Sequence, residues 1–96
     1  QVGQHQRISV GRLAPCEIVL HHSSISRIHA YFESRKQSIY VEDVSTNGCY
    51  IQQDGEASPD FIHRDEVALL GSGLIGLGKP PESGTLHTIR YACIAS

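Results

Sequence analysis

Residues 39–52 read IYVEDVSTNGCYIQ. Ile39 and Val41 alternate with Tyr40 and Glu42, the period of a strand with one wet face. Ser45-Thr46-Asn47-Gly48 is turn chemistry: Ser and Asn side chains bond nearby backbone, and glycine accepts a positive φ. Cys49-Tyr50-Ile51-Gln52 then resumes a second apolar run. Strand, short turn, strand leaves no room for a helix.

The same pattern extends in both directions. Strands are expected near 6–10 (QRISV), 17–20 (EIVL), 28–33 (IHAYFE), 39–44 and 49–52, with others at 61–63, 66–70, 73–77 and 87–94 (HTIRYACI). Turn clusters fall at Gly11-Arg12, at 34–38, at Asp54-Gly55 and at Lys79-Pro80-Pro81. The stretch 53–60 (QDGEASPD) is the most loop-like, and 79–85 (KPPESGT) forms another irregular connection. Short strands at close, regular spacing define an all-β sandwich or barrel.

The 96 residues are enough for one core, so residues 1–96 are expected to form a single domain. The first residue is Gln, and a domain excised from a longer protein is the expectation. A net charge of −2 disfavours non-specific nucleic-acid binding. No apolar run approaches the roughly 20 residues that span a bilayer, so no membrane partner is expected. Cys16, Cys49 and Cys93 are odd in number and widely spaced. They read as reduced thiols in or near the core, in a cytoplasmic setting.

Several motifs mislead. GSGLIG at 71–76 matches a dinucleotide fingerprint, and GLIGLGKP at 73–80 approaches a P-loop. Both need a following helix, and Lys79-Pro80-Pro81 stands there instead. Ser24 or Ser26 with His29 and Asp43 lacks a nucleophile elbow. His21, His22 and His29 lack metal-ligand spacing, so no metal site is expected.

The polar clusters share a position. Gly11-Arg12, then the Ser24, Ser26 and Arg27 part of HHSSISRIHA (21–30), then Ser45-Thr46-Asn47-Gly48 all lie in turns between strands. In a sandwich, loops from one end meet. That end would gather Arg12 and Arg27 with the hydroxyls of Ser24, Ser26, Ser45 and Thr46 and the amide of Asn47, and no carboxylate. Arginine forks, hydroxyls and backbone N–H groups suit a phosphate. Asn47 both donates and accepts, which suits a peptide backbone.

The order Gly11-Arg12, Ser26-Arg27-Ile28-His29, Ser45-Thr46-Asn47-Gly48 closely resembles the forkhead-associated (FHA) domain, a reader of phosphothreonine peptides. The flanking CEIVL (16–20) and VEDVSTNGCYI (41–51) agree, and the resemblance runs from about residue 8 to 78. It implies a sandwich of two antiparallel sheets with ligand loops at one end. By resemblance, Arg12 pairs with the phosphate, Ser26 donates to a phosphate oxygen, and Arg27 contacts the phosphate at the next position. Thr46 lines the phosphothreonine pocket, and Asn47 holds the peptide main chain. Gly11, His29 and Gly48 support the site, His29 as a brace between loops. The family implies a non-catalytic module without a cofactor, whose partner is a phosphothreonine protein made by an upstream Ser/Thr kinase. The alternative is a degenerate member of the fold that binds its partner without phosphorylation.

Three departures accompany the resemblance. Few residues precede the strand into Gly11-Arg12, so the N-terminal strands of the usual sandwich are expected to be short or missing. A family turn of Asp-Gly-Asp type reads Arg64-Asp65-Glu66 here, which would put Asp65 in the glycine's conformation. His21 and His22 replace acidic residues, and would make the ligand loop more positive below about pH 6.5 if they lie beside the phosphate.

Overall fold

Alternation along the third and fourth long strands sets the architecture. In the computed structural model, which describes residues 6–93, Phe32 pairs across the ladder with Val41 and Ala30 with Asp43. Ala30, Val41 and Asp43 are all buried.

Nine strands are present among the described residues: β1 (Gln6–Gly11), β2 (Ile18–Val19), β3 (Ala30–Arg35), β4 (Ser38–Asp43), β5 (Cys49–Gln53), β6 (Asp60–Ile62), β7 (Glu66–Leu69), β8 (Ser72–Leu77) and β9 (Thr88–Ala92). They form a five-stranded sheet, β2-β1-β3-β4-β7, and a four-stranded sheet, β6-β5-β8-β9. No described helix is long and apolar enough to cross a membrane. Val10, Ile25, Val41, Cys49, Ile62, Leu69, Ile75 and Leu77 fill the space between the sheets. Each fully buried aliphatic side chain contributes roughly 1.5–3 kcal/mol.

The expected β-sandwich is the observed one, with local differences. The sheets are antiparallel except where β2 runs parallel to β1, pairing Val10 with Ile18 and Gly11 with Val19. Only Ile18 and Val19 of the EIVL run count as strand, and Leu20 N–H closes the ladder by donating to Gly11 O at 2.9 Å. The run expected at 28–33 shifts to Ala30–Arg35, and the turn expected at 34–38 contracts to Lys36-Gln37, with Lys36 at φ 55°. Arg35 stays in the strand because its guanidinium lies 4.2 Å over the Tyr40 ring and pairs with Glu33 and Glu66. His29 is held out of the strand by its own bracing role, described below. The last strand ends at Ala92, and Ile94 lies outside the described residues, as does any strand before Gln6.

GSGLIG is strand β8 rather than a phosphate loop. A Cβ on Gly73 would sit 2.3 Å from Gln52 O, and one on Gly76 2.0 Å from Lys79 O. Close backbone approach explains both glycines. Cys16, Cys49 and Cys93 are free thiols, the first two buried.

Candidate functional site

Three turns meet at one end of the sandwich: Gly11–Leu13 after β1, the 21–29 segment before β3, and 44–48 between β4 and β5. Backbone bonds lock the first to the second. Arg12 N–H donates to Ser26 O at 3.0 Å and to Arg27 O at 3.1 Å. This approach requires glycine at position 11, where a Cβ would stand 2.1 Å from Arg27 O.

The Arg12 side chain follows the same route. Its Nε donates to Ile25 O at 2.8 Å. The two terminal guanidinium nitrogens make no hydrogen bond among the described residues and remain for a ligand. Ser26 Oγ accepts from Thr46 N at 3.1 Å, which leaves its O–H free to donate. Asn47 Nδ2 donates to Ser24 O at 3.3 Å, leaving its Oδ1 open. Arg27, Thr46 and Asn47 are exposed. Together these groups line a cleft of about 490 Å³, with Ile28 and Val44 as apolar wall. No carboxylate lines it.

His29 ties the two ligand turns together from below. It is completely buried. Nδ1 accepts from Ser26 N at 3.0 Å, and Nε2 donates to Gly48 O at 2.8 Å. Those bonds define a neutral ring with its proton on Nε2. They also separate His29 from the Ser26 hydroxyl, which faces Thr46 instead. The Ser-His-Asp arrangement of a hydrolase is therefore not formed.

Asp43 is the support that sequence reasoning missed. Its carboxylate is buried at 1% exposure. Oδ1 accepts from Ser45 Oγ at 2.6 Å and Cys49 Sγ at 3.1 Å, and Oδ2 accepts from Arg64 N at 2.8 Å and Ser45 N at 3.3 Å. Ser45 Oγ in turn accepts from Gly48 N at 2.7 Å. The whole 45–48 turn thus hangs from one carboxylate. Gly48 closes it at φ 89°, with the Phe61 ring packed where a side chain would go: a Cβ would meet Phe61 Cε1 at 2.4 Å. Ligand atoms of His29, Asp43 and Cys49 lie within 4.8 Å of one another. Both ring nitrogens and both carboxylate oxygens are already hydrogen-bonded, and burial holds the thiol in its protonated form. The trio is a hydrogen-bonded brace.

Two expectations are corrected. Arg64, at φ 55°, takes the left-handed conformation expected for Asp65. Its N–H reaches Asp43 and its Nε donates to Ser45 O at 3.2 Å, which stabilises that backbone. His21 and His22 do not line the cleft. His22 turns back onto Ser24 and packs beside His87.

Burial lowers the pKa of His29 below the ordinary 6.5, outweighing the favourable carbonyl of Gly48 and the charge of Asp43. The unfolded chain binds a proton near pH 6.5 that the folded chain refuses. Folding stability is therefore complete above that pH and falls as pH drops below it. This one ring gives a slope of at most about 1.4 kcal/mol per pH unit. Denaturant unfolding at pH 7.5, 6.5, 5.5 and 5.0 should show the decline starting well above the carboxylate range. A flat profile to pH 5 contradicts it.

The architecture and site define a class: a β-sandwich with a donor-rich cleft built on loops at one end. The sequence matches the FHA domain family over residues 8–71. The chain belongs to that family. The fold is similar to Mycobacterium tuberculosis EmbR in complex with a low-affinity phosphopeptide, at 24% identity and TM-score 0.71, covering 94% of this chain and 20% of EmbR. It is also similar to the N-terminal FHA domain of S. cerevisiae Rad53 in complex with a phosphothreonine peptide, at 20% identity, TM-score 0.67 and coverage of 91% and 68%. The MEK1 FHA domain, solved with a HOP1 phosphothreonine peptide, is 33% identical at TM-score 0.60, covering 77% of this chain and 74% of that one. This chain thus spans a fifth of EmbR. No curated protein sequence matches.

Proposed function

We propose that this chain is a non-catalytic module that binds phosphothreonine in a partner protein, coupling that partner to a Ser/Thr kinase in cytoplasmic signalling. One observation carries the reading. Arg12, Ser26, Arg27, Thr46 and Asn47, from three separate turns, converge on one cleft whose lining has no carboxylate. Phosphothreonine brings about −1.5 to −2 charges and three acceptor oxygens. The cleft offers two guanidiniums and a hydroxyl to them, and Asn47 beside them for the peptide main chain. The phosphopeptide complexes of structurally similar domains support the same assignment.

Ile28 and Val44 give the cleft a place for the threonine γ-methyl. One methyl group buried is worth roughly 0.8 kcal/mol, about a fourfold preference over phosphoserine before any misplacement of the phosphate is counted. An oriented peptide library, presented as phosphothreonine, phosphoserine and unmodified threonine, tests this. Capture is expected to be strongest for phosphothreonine, weaker by at least about fourfold for phosphoserine, and absent without phosphate. Equal capture of the unmodified library defeats the reading.

A further inference from the structure

We propose that His22 and His87 form a binding site for one divalent transition-metal cation of the zinc type, separate from the phosphate cleft. The two rings lie side by side, with centroids 5.2 Å apart and planes tilted by 51°. His87 precedes β9 and is 3% exposed. Its Nε2–H donates to Pro80 O at 2.9 Å, which places the proton there and leaves a lone pair on Nδ1. That Nδ1 is buried and has no hydrogen-bond partner. A buried polar atom left unpaired is rare in a folded protein and calls for an explanation.

His22 supplies the complementary half. Its Nδ1 accepts from Ser24 N at 3.1 Å and lies 2.9 Å from Ser24 Oγ. Its Nε2 is the nitrogen left over. Each ring is therefore held through one nitrogen and has the other without a hydrogen-bond partner, the arrangement in which outer hydrogen bonds orient metal-ligating imidazoles. A cation about 2.0–2.1 Å from one nitrogen of each ring, at a tetrahedral angle, holds the ring centres roughly 5 Å apart. The observed 5.2 Å between the ring centroids is compatible with that arrangement. Water completes the coordination on the partly exposed His22 side.

Coordination at Nε2 moves the His22 proton to Nδ1, where Ser24 Oγ accepts it in place of the Ser24 N–H contact. Ser24 Oγ itself donates to Leu77 O at 2.8 Å, so the ring is anchored to strand β8. The cation would join the base of the 21–26 turn to the 79–87 connection. No spacing in the sequence shows this pair, because the fold alone brings the two histidines together.

Zinc chloride titrated calorimetrically into the intact chain, with imidazole ¹⁵N spectra recorded alongside, tests the site. One ion per chain is expected, with shifts at His87 Nδ1 and His22 Nε2. His22→Asn is expected to lose that site while the fold persists, since Asn Oδ1 can still accept from Ser24 N–H. His87→Gln should lose it too, though its buried position risks the fold. Absence of binding in the parent, unshifted His22 and His87 resonances, or undiminished binding by His22→Asn each overturns the proposal.

Discussion

His29→Ala is expected to destabilise the domain by roughly 3–5 kcal/mol. Three losses combine. The buried imidazole leaves a cavity, Ser26 N loses its acceptor, and Gly48 O loses one of its two donors, keeping Gly78 N–H. Large-to-small core changes cost about 2–5 kcal/mol, and the stranded Ser26 N–H adds about 1–3 kcal/mol where the site cannot relax. A small domain has a total stability of only about 5–15 kcal/mol. The variant should melt far below the parent, and phosphopeptide binding should fall with it. His29→Leu separates the contributions, since it restores most of the volume and neither hydrogen bond. It is expected to recover part of the loss in a denaturant titration and leave the two ligand turns unjoined. A melting temperature equal to the parent's in His29→Ala would remove the bracing role.

Arg12→Ala should produce the largest loss of binding. The terminal nitrogens of Arg12 face the cleft and would form charge-assisted bonds with phosphate. Such bonds are worth about 1.5–3 kcal/mol each, so losing them weakens binding by at least about a hundredfold. The side chain also supports its neighbour, through Nε to Ile25 O. A stability cost of about 0.5–1.5 kcal/mol is therefore expected, lowering Tm by several degrees. Arg12→Lys keeps the charge and loses the planar fork, and should fall between the two. Ser26→Ala behaves similarly in kind: it removes a phosphate donor and also the acceptor of Thr46 N–H. Parent-like affinity in Arg12→Ala, measured by fluorescence anisotropy on a phosphothreonine peptide, would show that phosphate sits elsewhere.

The ligand-facing part of the site was legible because its residues break the local pattern. Arg12, Ser26, Arg27, Thr46 and Asn47 stand as polar residues in turns, where a core gives them no reason to be. Their support was harder to see. Asp43 looks like an ordinary strand carboxylate, yet the alternation that sends Val41 inward also sends Asp43 inward. Carrying that period two residues further would have flagged a buried acid in need of donors. Which donors it finds was beyond reach, since Arg64 N comes from a distant turn. The same limit hid the Arg64 conformation, which depends on its bonds to Asp43 and Ser45 rather than on residue preference. The parallel pairing of β2 with β1 was equally invisible, because a two-residue ladder leaves no periodicity. Residue pattern reveals which way a side chain faces, and only the fold reveals what it meets.

The His29 ring has a consequence for timing. It joins the backbone of one ligand turn to that of the other, so the spacing between the cleft walls is set during folding. A peptide arriving at preorganised walls orders little besides itself. Phosphopeptides that differ in their flanking residues should then arrive at similar rates and differ chiefly in how long they stay. On the proposed reading, such a domain would sample many phosphorylated sequences quickly and release most of them. Residence time would then be the quantity on which its selectivity rests.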